Sequence, residues 1–236
     1  MRVSAIIPAA GLGTRMGKVS DETAGASRKQ FLLLNGEPVL LHTVRKFVAA
    51  PSTGEILIAL LPEDLEVFRE QLEQQEYATP VRLVVGGRNR QESVGNCLAL
   101  VQEDTEVVVV HDAVRPFVTV AQIEQIIDEA GDKGAVIFGV PPVDTVKRVE
   151  RTLVQSTLFR EQIVLAQTPQ AFRLALLRTA FKQAEVDHFI GTDEASLVEH
   201  LGEDVHVLLG SDRNIKITKP TDLSLASLFH QEQTNP

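Results

Sequence analysis

Short apolar runs alternate along this chain with longer stretches whose apolar positions recur every three or four residues. Runs of that kind are buried strands, and the longer periodic stretches are amphipathic helices. The runs predict strands over Val3–Pro8, Glu55–Leu61, Val81–Val85, Glu106–His111, Ala135–Val140, Val164–Ala166, Val205–Leu208 and Asn214–Ile217. Between them the periodicity predicts helices over Val39–Ala49, Glu63–Gln75, Asn89–Val101, Val120–Ala130, Arg173–Glu185, Asp193–Leu201 and Thr221–His230. Thr192-Asp193-Glu194 offers a capping oxygen and first-turn acids to one helix, and Pro220-Thr221-Asp222 does the same for the last. Strands and helices in alternation specify an α/β fold, a Rossmann-like open twisted sheet that is mostly parallel.

One region breaks the alternation. Pro141–Glu150 and Thr152–Leu158 alternate polar and apolar residues around a turn at Glu150-Arg151, the pattern of a two-stranded ribbon. A ribbon alone is marginal in water, so this arm, spanning 141–160, is expected to pack on something. A second copy of the chain is the economical choice, and an arm folded back on its own domain is the alternative. The rest reads as one domain over 1–230, followed by a frayed tail over 231–236.

Composition narrows the function. The 236 residues are 44% hydrophobic and 23% charged, with a net charge of −9, ordinary for a soluble globular protein. Such an acidic chain lacks the basic face that a nucleic-acid backbone requires. Arg15, Lys29, Arg90 and Arg115 could still form a local basic pocket. No window reaches the roughly 18 apolar residues of a membrane span. Arg2 alone precedes a short apolar run, so no secretory signal peptide is expected and a cytoplasmic location follows. The single Cys97 excludes an internal disulfide and reads as a small buried residue.

Two segments carry candidate chemistry. After the first strand, Pro8-Ala9-Ala10-Gly11-Leu12-Gly13-Thr14-Arg15-Met16-Gly17 breaks into small residues and glycines, whose successive N–H groups can form an anion-binding concavity. Arg15 adds a planar fork suited to phosphate oxygens, and Lys29 follows as a second cation. The third glycine comes one residue too late for the dinucleotide fingerprint, and no G-K-[ST] closes a P-loop. A nucleoside triphosphate is the better ligand; a plain strand-to-loop turn is the alternative. The four valines Val107–Val110 mark a strand buried on both faces, with Asp112 just past its carboxyl end, where open α/β sheets bind ligands. A carboxylate there can hold Mg²⁺, or merely cap a turn, while the adjacent His111 reads as a packed histidine. Gly86-Gly87 could admit a base against the backbone and Ser93 could read its edge, or the segment could simply lead into a helix cap. Lys216 could face either way from its alternating segment.

Taken in order, seven motifs resemble one family. They are Pro8-Ala9-Ala10-Gly11 with Gly13 and Arg15-Met16; Lys29-Gln30-Phe31; Gly86-Gly87 with Arg90 and Ser93-Val94; His111-Asp112-Ala113 with Arg115-Pro116; Thr168-Pro169-Gln170; Thr192-Asp193-Glu194-Ala195-Ser196; and Asn214-Ile215-Lys216 with Thr218. Over residues 3 to 230 the chain resembles the 2-C-methyl-D-erythritol 4-phosphate cytidylyltransferases of the non-mevalonate isoprenoid pathway. The resemblance implies a nucleotidyltransferase-type sheet, CTP and methylerythritol phosphate as substrates, Mg²⁺ on Asp112, and a homodimer through the arm. It also implies that Arg15, Lys29 and Lys216 are catalytic, and that Ala10, Gly11, Gly13, Gly87, Ser93 and Ala113 line the nucleotide pocket. Arg115, Thr168 and Thr192 would position the second substrate, as would Thr145 and Arg160 on an arm that crosses to the partner subunit. Another polyol phosphate such as ribitol 5-phosphate is the alternative substrate. Outside the transferase class, the rivals are a binding protein without turnover and a dinucleotide-dependent oxidoreductase. The stretch Met16–Arg28 is longer than usual in the family, and Arg28 replaces a common proline. That stretch is expected to be mobile without nucleotide, with Arg28 as an extra phosphate contact.

Overall fold

The computed structural model describes residues 1–11 and 28–234. Its centre is a seven-stranded sheet in which β1 (Val3–Pro8) lies between β4 (Thr53–Leu60) and β6 (Val107–Val110). Beyond β4 comes β5 (Val81–Val85), and these four strands are parallel. On the other side β10 (Leu165–Arg173) runs antiparallel to both β6 and β7 (Ala135–Val140), and β11 (His206–Leu209) pairs in parallel with β7. The sheet is therefore mixed and mostly parallel. Successive side chains on a strand point to opposite faces, so the consecutive valines of β6 serve both layers. Val107 and Val109 join Phe47 and Ile123 on one face, and Val108 and Val110 join Cys97 and Leu177 on the other. Helices α1 (Val39–Val48), α2 (Leu65–Glu73) and α4 (Val120–Lys133) cover the first face; α3 (Arg90–Leu98), α5 (Leu174–Val186) and α6 (Glu194–Leu201) cover the second. Each fully buried Phe, Ile, Leu or Val contributes roughly 1.5–3 kcal/mol of burial.

A small hairpin, β2 (Leu33–Leu34) and β3 (Glu37–Pro38), follows a 3₁₀ turn at Lys29–Phe31 and leads into α1. The last helix, α7 (Pro220–Thr234), packs on this hairpin through a third cluster that includes Leu34, Phe117, Ile217 and Ala226. Strands β8 (Lys147–Glu150) and β9 (Leu153–Thr157) form a separate two-stranded sheet with every residue exposed, turning at Arg151 with φ 53°.

Three sequence expectations are corrected. Asn214–Ile217 is not a strand: its alternation arises because Ile215 and Ile217 pack into the third cluster, and its backbone bond runs from Ile217 N to Val114 O at 2.9 Å. The strand expected at Val164–Ala166 extends to Arg173, because Gln170–Phe172 continues the pairing with β7 while Gln170–Arg173 pairs with β6. The tail expected from Gln231 is helical to Thr234, with Glu232 in an ion pair to Arg213 at 2.6 Å.

A cation-lined cleft at the carboxyl ends of the parallel strands

The chain segments leaving β1, β5 and β6 at their carboxyl ends enclose a cavity of about 410 Å³, where open α/β sheets hold their ligands. Close backbone approach shapes it. Gly86 N donates to Leu60 O at 2.7 Å, and a Cβ at Gly86 would lie 2.3 Å from the Cβ of Ala10. At Gly87 a Cβ would lie 2.2 Å from that of Glu92. Glycine is therefore required at both positions. Ser93 stabilises the same loop, its hydroxyl donating to Asn89 O at 2.8 Å and accepting from Gly87 N at 3.0 Å. Its hydroxyl thus shapes the cleft wall.

Two lysines reach the cleft from distant parts of the chain. Lys29 lies on the 3₁₀ turn, which the buried Gln30 ties to the loop after β1 by donating from Nε2 to Ala9 O at 2.7 Å. Lys216 lies in the segment before α7 and places Nζ 2.7 Å from Asp112 Oδ2. Asp112 is 7% exposed and sits among three cations, with Arg90 Nε 3.3 Å from Oδ1 and Arg115 Nε 3.5 Å from Oδ2. Burial alone would disfavour its charge, but Arg90, Lys216 and Arg115 more than offset this and hold its carboxyl well below the usual carboxylate range. Asp112 N donates to Thr168 Oγ1 at 3.0 Å, Asn214 Nδ2 to Thr168 O at 2.8 Å, and Arg115 Nη1 to Asn214 O at 2.7 Å. These bonds lash together the loop after β6, strand β10 and the Lys216 segment. His111, fully buried, donates from Nε2 to Arg115 O at 3.0 Å, and burial pushes its pKa down to about 4. It is a neutral packed residue, as its sequence context implied.

Of the residues expected at the site, Ala10, Gly11, Lys29, Gly87, Ser93, Asp112, Ala113 and Lys216 converge on this cleft. Gly13, Arg15 and the stretch from Met16 lie outside the described residues, up to Arg28. Arg28 itself is ion-paired to Glu63 at 2.8 Å and to Asp64. Arg115 and Thr168 are buried behind the cleft, bonded to Asp112 and Asn214. Thr192 is exposed before α6, and Arg160 stands at the base of the ribbon, donating to Val143 O at 3.1 Å. Thr145 lies in the exposed segment leading into β8. Sequence reasoning did not single out Glu194, whose Oε1 accepts from Arg90 Nη1 at 2.8 Å, nor Gln30 and Asn214 as supports. A buried acid reads in sequence like any first-turn helix acid, and nothing local distinguishes it.

A glycine-walled cleft at the strand ends, lined by two lysines and one buried aspartate, gives this α/β protein a site whose chemistry suits a phosphate-bearing ligand. The family can be stated more closely. The model described as "IspD: 2-C-methyl-D-erythritol 4-phosphate cytidylyltransferase" matches residues 3–232, and the chain belongs to that family. It is 56% identical over 237 residues to the 2-C-methyl-D-erythritol 4-phosphate cytidylyltransferase of Solibacter usitatus, covering 99% of this chain and 97% of that one. Identity to the enzyme of that name from Acidobacterium capsulatum is 48% over 240 residues, covering both chains completely. Among solved structures, the 4-diphosphocytidyl-2C-methyl-D-erythritol synthase of Anaerococcus prevotii superposes with a TM-score of 0.84 at 29% identity, covering 98% and 96% of the two chains. The Francisella tularensis cytidylyltransferase superposes with a TM-score of 0.79 at 33% identity, covering 97% and 99%.

Proposed function

We propose that this chain transfers the cytidylyl group of CTP to 2-C-methyl-D-erythritol 4-phosphate, giving 4-diphosphocytidyl-2-C-methyl-D-erythritol and pyrophosphate in isoprenoid synthesis. The observation that carries this reading is the convergence of Lys29, Lys216 and Asp112 on one glycine-walled cleft, in a chain of this family. A phosphate oxygen of the second substrate attacks the α-phosphorus of CTP, and the bond from that phosphorus to the bridging oxygen breaks as pyrophosphate leaves. The attacking phosphate is already ionised at neutral pH, so the protein has no proton to remove. Its residues supply position and charge. Lys216 and Lys29 meet the phosphate oxygens on which negative charge grows, and Arg15 is assigned the same task. Ala10, Gly11, Gly87 and Ala113 bring backbone against the nucleoside, with Ser93 holding the Gly87 loop, and Gly13 is assigned to the same pocket.

The donor set fits Mg²⁺. Asp112 is the one carboxylate among the described residues lining the cleft, and no cluster of three ligating side chains occurs among the described residues. Magnesium is commonly held by one or two carboxylates together with substrate phosphates, so Asp112 would hold it. When bound, the ion neutralises phosphate charge.

The reading extends to the assembly. Thr192 is assigned to the second-substrate side, Arg115 and Thr168 to its support from behind the cleft, and the ribbon to a homodimer in which Thr145 and Arg160 of the partner subunit complete that side. No described helix is long and apolar enough to cross a membrane, and the cytoplasm is the assigned location. The test is pyrophosphate release from CTP and Mg²⁺, with methylerythritol 4-phosphate and ribitol 5-phosphate in parallel. Release with the first alone is expected. Release with ribitol phosphate alone would overturn the substrate, and release with neither would leave a binding protein.

A further inference from the structure

Arg90, the first residue of α3, spreads its guanidinium across two carboxylates from different elements. Nη1 donates to Glu194 Oε1 at 2.8 Å, and Nε donates to Asp112 Oδ1 at 3.3 Å. Glu194 opens α6 and is only 1% exposed. Gln170 on β10 secures that helix end, accepting from Ala195 N at 3.2 Å and donating to Asp193 Oδ2 at 2.7 Å. Two buried atoms of the pair, Arg90 Nη2 and Glu194 Oε2, have no hydrogen-bond partner among the described residues.

A guanidinium opposite a single carboxylate commonly pairs fork to fork, with two parallel bonds. Arg90 forgoes that geometry with both acids and leaves polar atoms unmatched in the interior. Such atoms are costly, so stability alone would not select the arrangement. The cleft supplies a reason. Lys216 already touches Asp112 Oδ2, and a compact ammonium on a flexible stem can pass from a carboxylate to an arriving phosphate oxygen. A planar Arg90 fork closed over both Asp112 oxygens would not yield so readily.

We propose that Glu194 is a positioning residue that draws Arg90 aside, limiting it to one long bond to Asp112 so that this carboxylate can exchange its contacts for the divalent cation that arrives with the triphosphate. The inference rests on Asp112 being the protein ligand of that cation, as assigned above. Glu194 touches neither substrate nor ion and acts only through Arg90. Removing its charge frees Arg90 to close on Asp112. Removing both charges of the pair eliminates the competing fork as well, with no change in the net charge of the cleft.

Electron paramagnetic resonance with Mn²⁺ and CTP, without second substrate and hence without turnover, reads the cation directly. Glu194→Gln keeps the shape and an oxygen facing Nη1, and is expected to raise the Mn²⁺ needed for half-saturation about tenfold, as outer-shell changes at metal sites do. The double variant Arg90→Gln/Glu194→Gln is expected to return to within about threefold of the wild type, the non-additivity of a residue acting through its neighbour. An unshifted Glu194→Gln that folds normally would overturn the proposal. So would a double variant needing about tenfold more Mn²⁺ than wild type, since Arg90 would then support the cation itself; this arm stands even if the single variant fails to fold. A wild type that binds no Mn²⁺ with CTP would overturn the assignment of Asp112 along with it, which separates the two failures.

Discussion

Lys29 owes its place in the cleft to its neighbour. The Gln30 amide donates to Ala9 O at 2.7 Å and to Gly11 O at 3.4 Å, so the 3₁₀ turn is tied directly to the loop on which the nucleotide is assigned to sit. A preorganised cation aimed at developing phosphate charge resembles a single oxyanion donor in effect, and its loss costs about 10²–10³ in turnover. Lys29→Ala is therefore expected to lower kcat by that factor while circular dichroism and Tm stay near wild type. Near-normal turnover in a folded Lys29→Ala protein would remove Lys29 from the catalytic role. How far single residues could be read from sequence follows from the range of their interactions. Asp112 was legible as a strand-end acid, because the four preceding valines mark a strand buried on both faces. Its surroundings were not: Arg90 lies 22 positions before it and forms its other ion pair with Glu194, 104 positions further on. Ser93 was legible as a cleft residue, but not the use of its hydroxyl to hold Gly87 and Asn89. Short-range pattern shows which residues face the ligand side and leaves out what they lean on.

Elements were legible where burial on a sheet or helix face set the period. β1, β5 and β7 coincide with the apolar runs, and α1 and α6 end within a residue of expectation. The errors fall where the same alternation had another cause. Ile215 and Ile217 alternate because they pack beside Phe117 and Ala226, and no strand of the sheet pairs with them. That cluster also carries α7, whose seating depends on a second contact outside the core. His42 on α1 donates from Nε2 to Leu34 O at 2.9 Å, its ring lies 5.1 Å from that of His230 on α7, and Glu37 stands 3.9 Å away with Arg45 beyond it. Burial pulls the His42 pKa below its ordinary value of 6.5; the Leu34 carbonyl and Glu37 oppose this, while His230 and Arg45 reinforce it. The unfolded chain therefore takes up this proton first as pH falls. The contribution to stability is full above about 6.5 and is lost below it. His42→Gln can still donate to Leu34 O and is expected to flatten the fall in Tm between pH 7.5 and 5, measured by calorimetry beside the wild type. Parallel curves for the two proteins would exclude His42 as a source of the acid sensitivity.

For the whole molecule, the ribbon is the part that the described residues leave unsupported. All nine residues of β8 and β9 are exposed, and Val143, Leu153 and Phe159 are 83%, 69% and 77% exposed. A lone two-stranded hairpin is marginal in water, and clustered exposed apolar residues mark interaction surfaces. The cleft, by contrast, is built from one chain, with both lysines and Asp112 supplied internally. Nucleotide binding should thus survive loss of the ribbon, whereas turnover should not, because Thr145 and Arg160 flank the ribbon, whose docking is assigned to bring them to the partner's cleft. If the ribbon holds two 25.9 kDa chains together, replacing Lys147–Thr157 with a short Gly-Ser link is expected to give a monomer in sedimentation, with CTP affinity retained and transfer lost. Mixing sharpens the prediction. The shortened chain keeps Lys29 but lacks a ribbon; Lys29→Ala keeps the ribbon but lacks the lysine. If the ribbon serves the partner's cleft, co-refolded mixtures of the two inactive proteins form heterodimers with one complete site, and activity rises well above the sum of the parts. A ribbon serving its own chain would leave the mixture as inactive as its components, whatever the oligomeric state.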